Sequence, residues 1–262
     1  SHTFSKGQRL IAKYITESYD KAAFMTASKL GKKVGVSEST VVRFAVELGY
    51  DGYPSMQKAI QEMVLNRLTS VQRIEVANDR MEGQDVISTV LRADAEKLRQ
   101  TEELLDRQEF SKAVQAILDT DRVYILGVRS AAPLAQFLGY YLNYMSTNIH
   151  VVTTSGEGEM FEKIVAIKPE DVVIAISFPR YSSATVKAAQ YCRSAGATVI
   201  GLTDNRLSPL GQNADYVLEA KSDMVSLVDS LVAPMSVINA LIVAIAAKRE
   251  QRLSKIFTSL EQ

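Results

Sequence analysis

The stretch TASKLGKKVGVSESTVVRFAVEL, Thr26–Leu48, reads as two short helices joined by a tight turn, the plan of a helix-turn-helix. The first helix turns Ala27, Leu30 and Val34 inward. Gly35 falls where the chain turns sharply, and only glycine takes the required backbone angles at no steric cost. Ser37 caps the second helix, and Val41, Val42 and Phe44 anchor it. Ser39, Thr40 and Arg43 are left near its start, where a recognition helix needs short polar and cationic groups facing base edges and phosphates. With Ser37 and the nearby Lys32 and Lys33, they are the candidate DNA-contacting residues. Two amphipathic helices around a glycine also occur in helical bundles that never meet DNA.

The flanking sequence favours the DNA reading. Phe4–Ser18 forms an earlier amphipathic helix through Leu10, Ile11, Tyr14 and Ile15, able to pack behind the pair. Gly49–Tyr53 ends the second helix in a glycine-rich turn. Residues 1–78 hold eleven Lys and Arg against seven Asp and Glu, a net +4, so the rest of this neutral chain carries −4. A basic head on an acidic body suits a domain that meets phosphate, joined to one that does not.

A chain of 262 residues suits two domains. A single cysteine, Cys192, excludes an internal disulfide and a cysteine-based zinc site, and two histidines, His2 and His150, are too few for a histidine metal cluster. No metal or cofactor is expected. No signal peptide is read, and a cytoplasmic setting is expected. The most apolar run, Val225–Ala247, is long enough to raise a membrane span, but Asp229, Pro234 and Asn239 interrupt it. A buried helix at a core or a subunit interface is the expectation, with no membrane partner.

The texture changes at Asp121. Strands are expected at Arg122–Gly127, Ile149–Thr153, Asp171–Ser177, Thr198–Thr203 and Asp215–Glu219. Helices alternate with them at Pro133–Met145, Met160–Ile167 and Ser182–Ala195. That alternation means a five-stranded parallel sheet covered on both faces. The expected organisation is an all-α domain at 1–78, a helical connector at 79–106, an α/β domain at 107–250 and a tail at 251–262.

Two strand ends carry chemistry. One is Gly127-Val128-Arg129-Ser130; the other is Ser177-Phe178-Pro179-Arg180-Tyr181-Ser182-Ser183, which opens a helix. Hydroxyls and free amides at a helix start favour an anion. Arg129 and Arg180 can add a bidentate clamp on phosphate or carboxylate. The candidate ligand residues are therefore Arg129, Ser130, Ser177, Arg180, Ser182 and Ser183. The plainer alternative is that the serines only cap a helix and the arginines are solvated.

The segment AFMTASKLGKKVGVSESTVVRFAVELGYDGY resembles the helix-turn-helix domain of the RpiR/MurR family of bacterial transcriptional regulators. The remainder resembles the sugar isomerase (SIS) domain that such regulators carry, with a flavodoxin-like fold. That likeness runs through the strand ending at Gly127, DVVIAIS at Asp171–Ser177, GATVIGLTD at Gly196–Asp204, and Ser208-Pro209-Leu210. It implies a dimeric or tetrameric, non-enzymatic regulator of carbohydrate genes, with operator DNA as partner and a phosphosugar as effector. The sequence departs from the usual SIS loops. Arg129 stands at the second Gly of the first loop, Pro179 and Arg180 replace the inner Ser-Gly of the second, and Ser182 stands at its Thr. The altered cradle leaves three outcomes open: a tighter grip on phosphate, a carboxylated or more anionic ligand, or a pocket in which Arg180 replaces the ligand. The alternatives to the effector reading are a SIS domain that only assembles subunits and a sugar-phosphate isomerase with Glu157, Glu159 or Glu162 as base.

Overall fold

Capping chemistry sets where the helices begin. In this computed structural model, Ser5 and Gln8 form a reciprocal capping box that starts α1 (Lys6–Glu17). The structure describes residues 4–65, 74, 83, 85–146, 148–222 and 228–260. They fall into two compact units, Ser1–Gln84 and Asp85–Gln262.

In the first unit, α1 is followed by α2 (Tyr19–Ala22), α3 (Ala27–Val34), α4 (Glu38–Glu47) and α5 (Tyr53–Leu65). Thr26 caps α3 and Ser37 caps α4, each through its hydroxyl. Gly35 ends α3 at φ +76°, as the turn requires. Ile11, Leu30, Val41, Phe44, Ala45 and Met56 form the core. Val42 was expected to anchor α4, but it is exposed; one residue past Val41, it lies a hundred degrees around the helix from the buried stripe. Leu10 is likewise exposed on α1 beside the fully buried Ile11. The Tyr53 hydroxyl and Gln57 Nε2 both donate to the Met25 carbonyl, at 2.6 and 2.9 Å, and fasten α5 to the loop before α3.

The second unit opens with α6 (Val86–Leu104) and α7 (Arg107–Asp119), capped by Asp85 and Asp106. Then follow β1 (Val123–Gly127), α8 (Ala132–Met145), β2 (Ile149–Val152), α9 (Glu157–Ile164), β3 (Val172–Ile176), α10 (Ser183–Ser194), β4 (Thr198–Thr203) and β5 (Tyr216–Glu219). Two helices, α11 (Val232–Lys248) and α12 (Glu250–Leu260), close the unit. The apolar helix thus begins at Val232, after Asp229 instead of around it, and residues 225–227 of the expected run lie outside the described residues. The span expected as a tail carries α12.

All five strands are parallel, in the order β2-β1-β3-β4-β5, the flavodoxin-like order. Val123, Ile125, Ile174 and Ile200 face one helical layer, and Tyr124, Leu126, Val173 and Val199 face the other. This period of two explains why β1 and β3 are buried along their whole length. At the amino edge, Arg122 Nε and Nη2 bond the Asp171 carboxylate at 2.8 and 2.5 Å. The strand order reverses between β1 and β3, so their carboxyl ends flank the crevice where such sheets bind ligands.

Candidate functional site

The two chemically pointed loops meet at that crevice. A cavity of 280 Å³ is lined by Val128, Arg129, Ser130 and Ala131 from the end of β1, and by Ser177, Phe178, Pro179, Arg180 and Ser182 from the end of β3. Five of the six candidate ligand residues therefore share one cavity, and among the described residues its lining contains no carboxylate and no histidine. Ser183, the sixth, donates to Glu157 Oε1 at 3.3 Å instead.

The serines are engaged with backbone. Ser177 Oγ accepts the Ser182 N–H at 3.1 Å and closes the loop on itself. Ser182 Oγ accepts the Thr185 N–H at 3.2 Å and caps α10. Tyr181 donates its hydroxyl to Asp204 at 2.8 Å, tying this loop to the end of β4. Burial, then the Asp204 charge, raises the Tyr181 pKa far above its ordinary value, so the hydroxyl keeps its proton.

The arginines differ from every other non-glycine residue described: Arg129 at φ +56° and Arg180 at φ +68° have left-handed backbone. Both stand where the SIS resemblance has glycine. The glycine-type loop geometry is kept, and a cation has been placed on each turn at a cost in strain. Gly127 shows how tight the first turn is, because an added Cβ would sit 2.8 Å from the Ala131 carbonyl oxygen. Arg180 Nη2 forms an ion pair with Asp229 Oδ2. Sequence reasoning missed Asp229, since nothing in a helix-like apolar run marks an aspartate as the counter-ion of a loop arginine 49 positions away.

Of the candidate bases, Glu157 is tied by Lys187 Nζ at 2.9 and 3.0 Å. The Lys187 hydrogen bond holds its carboxyl below the usual glutamate range. Glu159 and Glu162 are exposed on α9. Burial pushes the Cys192 thiol up to about 12, so it is no nucleophile.

In the helical unit, Lys32, Lys33, Ser37, Ser39 and Arg43 are exposed and Thr40 is half-buried. The Ser37 hydroxyl lies 2.9 Å from that of Ser39 and 2.8 Å from that of Thr40, so the three form one hydroxyl cluster at the start of α4. Arg43 Nε donates back to the Ser39 carbonyl at 3.2 Å, which sets the side chain along the helix toward its N-terminus.

Residues 1–66 match the helix-turn-helix domain of the rpiR family, and residues 116–244 match the SIS domain. The sugar isomerase domain of an RpiR transcription factor from Sphaerobacter thermophilus is 30% identical, with a TM-score of 0.65 over 68% of this chain and 99% of that one. This chain belongs to the RpiR family of transcriptional regulators. An HTH-type transcriptional regulator of Caldanaerobacter subterraneus is 24% identical to this RpiR-family chain over 253 residues, 95% of this chain and 88% of the relative. The fold is also that of the Vibrio vulnificus NanR protein, solved with ManNAc-6P, at 20% identity and a TM-score of 0.61 over 98% of this chain and 92% of that one. No helix among the described residues is long and apolar enough to cross a membrane, and no group of three potential metal ligands occurs among them.

Proposed function

We propose that this chain is a cytoplasmic DNA-binding regulator of carbohydrate genes, not an enzyme, and that a small phosphorylated sugar bound in the β1–β3 cavity controls it. The observation that carries this is the cavity wall: two arginines, three serines and, among the described residues, no group able to move a proton at neutral pH. Such a lining recognises an anion and does no chemistry on it. The sugar phosphate in the NanR complex, on the same fold, supports the ligand class.

Arg43, Ser39 and Thr40 read the operator in this proposal, Lys32 and Lys33 meet its phosphates, and a two-fold dimer spans half-sites about 34 Å apart. Val243 on α11 and Tyr140 on α8, at 67% and 60% exposure, leave apolar surface for subunit contact. The ligand's effect passes through α6, which begins where the second unit begins. Ser230 Oγ donates to Asp94 Oδ1 on α6 at 2.6 Å, and the Lys221 N–H donates to Thr101 Oγ1 at 2.9 Å.

A thermal-shift panel of sugar phosphates, each paired with its parent sugar, tests the effector reading. A ligand at a hundred times its Kd adds about 2.7 kcal/mol of apparent stability. A shift with a phosphate and none with its parent supports the proposal. A flat panel transfers the SIS domain to assembly alone, and turnover of any sugar phosphate refutes the regulator reading of the cavity. On the DNA side, Arg43→Ala should weaken operator binding by about 1–3 kcal/mol, and Lys33→Ala should flatten its salt dependence.

A further inference from the structure

Arg180 is held at two points. Its backbone is fixed in the left-handed region, and its guanidinium is bonded to Asp229 in the segment just before α11. The Asp229 side chain is 9% exposed and that of Arg180 is 43% exposed, so the carboxylate is the anchored partner and the guanidinium reaches toward solvent. Breaking an ion pair to a carboxylate this buried costs stability. The pair therefore persists when an anion enters the cavity. Asp229 takes one bond from Nη2, and Nε and Nη1 have no other partner among the described residues. A guanidinium presents five donors in a rigid fork, so those left over can serve a second anion, which a lysine ammonium could not do with the same geometry.

We propose that Asp229 is a positioning residue of the effector site: it holds the Arg180 fork at the cavity wall, so that the free edge donates to the oxygens of a phosphate monoester. This rests on the reading of the cavity as an anion site and adds the residue that makes it rigid. Pre-organisation matters because a free arginine loses much side-chain freedom when a ligand immobilises it. Asp229 removes that loss before the ligand arrives. The opposite role, a carboxylate competing with the ligand for Arg180, predicts the opposite sign on removal.

The test is calorimetric titration of the full chain with inorganic phosphate at fixed ionic strength. Asp229→Asn, nearly isosteric, should weaken phosphate binding about tenfold, equivalent to 1.4 kcal/mol. Asp229→Glu, which keeps the carboxylate, should recover binding to within about threefold of wild type, about 0.65 kcal/mol on the same scale. Arg180→Lys should lose as much as Asp229→Asn, and adding Asp229→Asn to Arg180→Lys should change nothing further, since Asp229 acts through the fork. A general structural defect would instead add in both backgrounds. Binding by Asp229→Asn as tight as wild type, or tighter, overturns the proposal while the anion site stands. Failure of wild type to bind phosphate overturns the site and the proposal together.

Discussion

Arg129→Gly and Arg180→Gly are the same exchange at two equivalent strand ends, yet they should move stability in opposite directions. Both arginines have left-handed backbone, which costs an L-residue roughly 1–2 kcal/mol. Glycine relieves that strain but gains freedom in the unfolded chain, which takes back about 0.5–1 kcal/mol. Arg129 is exposed and has no ion pair among the described residues, so its replacement should be a net gain of about 0.5–1 kcal/mol. For a chain of this size that raises the melting midpoint by roughly 1–4 °C. Arg180→Gly gains the same relief but removes the ion pair to Asp229, whose side chain is 9% exposed. Breaking a fully buried pair costs about 3–5 kcal/mol. With the arginine 43% exposed, a loss of about 1.5–3 kcal/mol is expected after screening, leaving the variant roughly 1–2 kcal/mol less stable. Urea unfolding followed by circular dichroism, comparing midpoints at unchanged slope, measures both. A fall in stability for Arg129→Gly, or shifts of the same sign in the two variants, refutes the assignment of strain and pairing. Arg129→Gly should also bind phosphate less tightly, so that stability and ligand affinity part company.

Gly31→Ala should destabilise the helical unit by about 1–3 kcal/mol, because the new Cβ would lie 2.8 Å from the Val36 carbonyl oxygen, while Gly35→Ala, facing open space at φ +76°, should cost only about 1 kcal/mol; thermal melts of the two variants give the order. Thr185→Val should stabilise the α/β unit by about 1 kcal/mol, since the buried Thr185 hydroxyl has no hydrogen-bond partner among the described residues and its removal relieves an unmet desolvation cost. A lower urea midpoint for this variant would show that the hydroxyl is satisfied in solution. The Glu109 and Gln108 amides hold the Asp106 carboxyl below its ordinary 3.8. Its contribution is therefore present above that value and lost as pH falls through the lower folded one, so Asp106→Asn should flatten the acid side of the stability profile below about pH 4.

The head was legible because its signals are local. Gly35 and Ser37 each act within four residues, and the structure uses each as its chemistry dictates. The sheet was legible because β1, β3 and β4 are buried through most of their length, and a fully buried strand reads as an uninterrupted apolar run. What failed turned on helix azimuth or on tertiary contacts. Val42 was assigned inward from its neighbours' character, yet its azimuth on α4 leaves it exposed. The start of the apolar helix was placed too early because hydrophobicity continues across Asp229, while the chain spends that aspartate on Arg180. Gly31 was passed over for Gly35, since close approach of two helices leaves no mark in sequence and a turn does. The candidate ligand residues could be named because hydroxyls and arginines cluster at two strand ends, one of which opens a helix. That Ser183 would turn away to Glu157 depends on α9, and no residue near Ser183 announces it.

A ligand can change DNA affinity only by binding two arrangements of the protein unequally, so the contact that carries the difference bounds the response. In the proposed mechanism the neighbours Asp229 and Ser230 face two ways: Asp229 bonds the cavity arginine, and Ser230 bonds Asp94 on α6. An anion that binds the Arg180 fork is therefore linked, through Asp229, to the segment to which α6 is tied. One hydrogen bond to a carboxylate has a net worth of about 1.5–3 kcal/mol, and only the part that differs between the two arrangements is available for coupling. If half of it differs, each protomer contributes about 0.7–1.5 kcal/mol, a three- to twelve-fold change, and a dimer engaging both half-sites about 10- to 150-fold. That range suits a metabolic regulator and needs no large domain movement. It also limits what any single substitution on this path can do: Ser230→Ala should reduce the ligand's effect on operator binding by no more than this factor, while ligand affinity, set by the Arg180 fork, stays close to wild type.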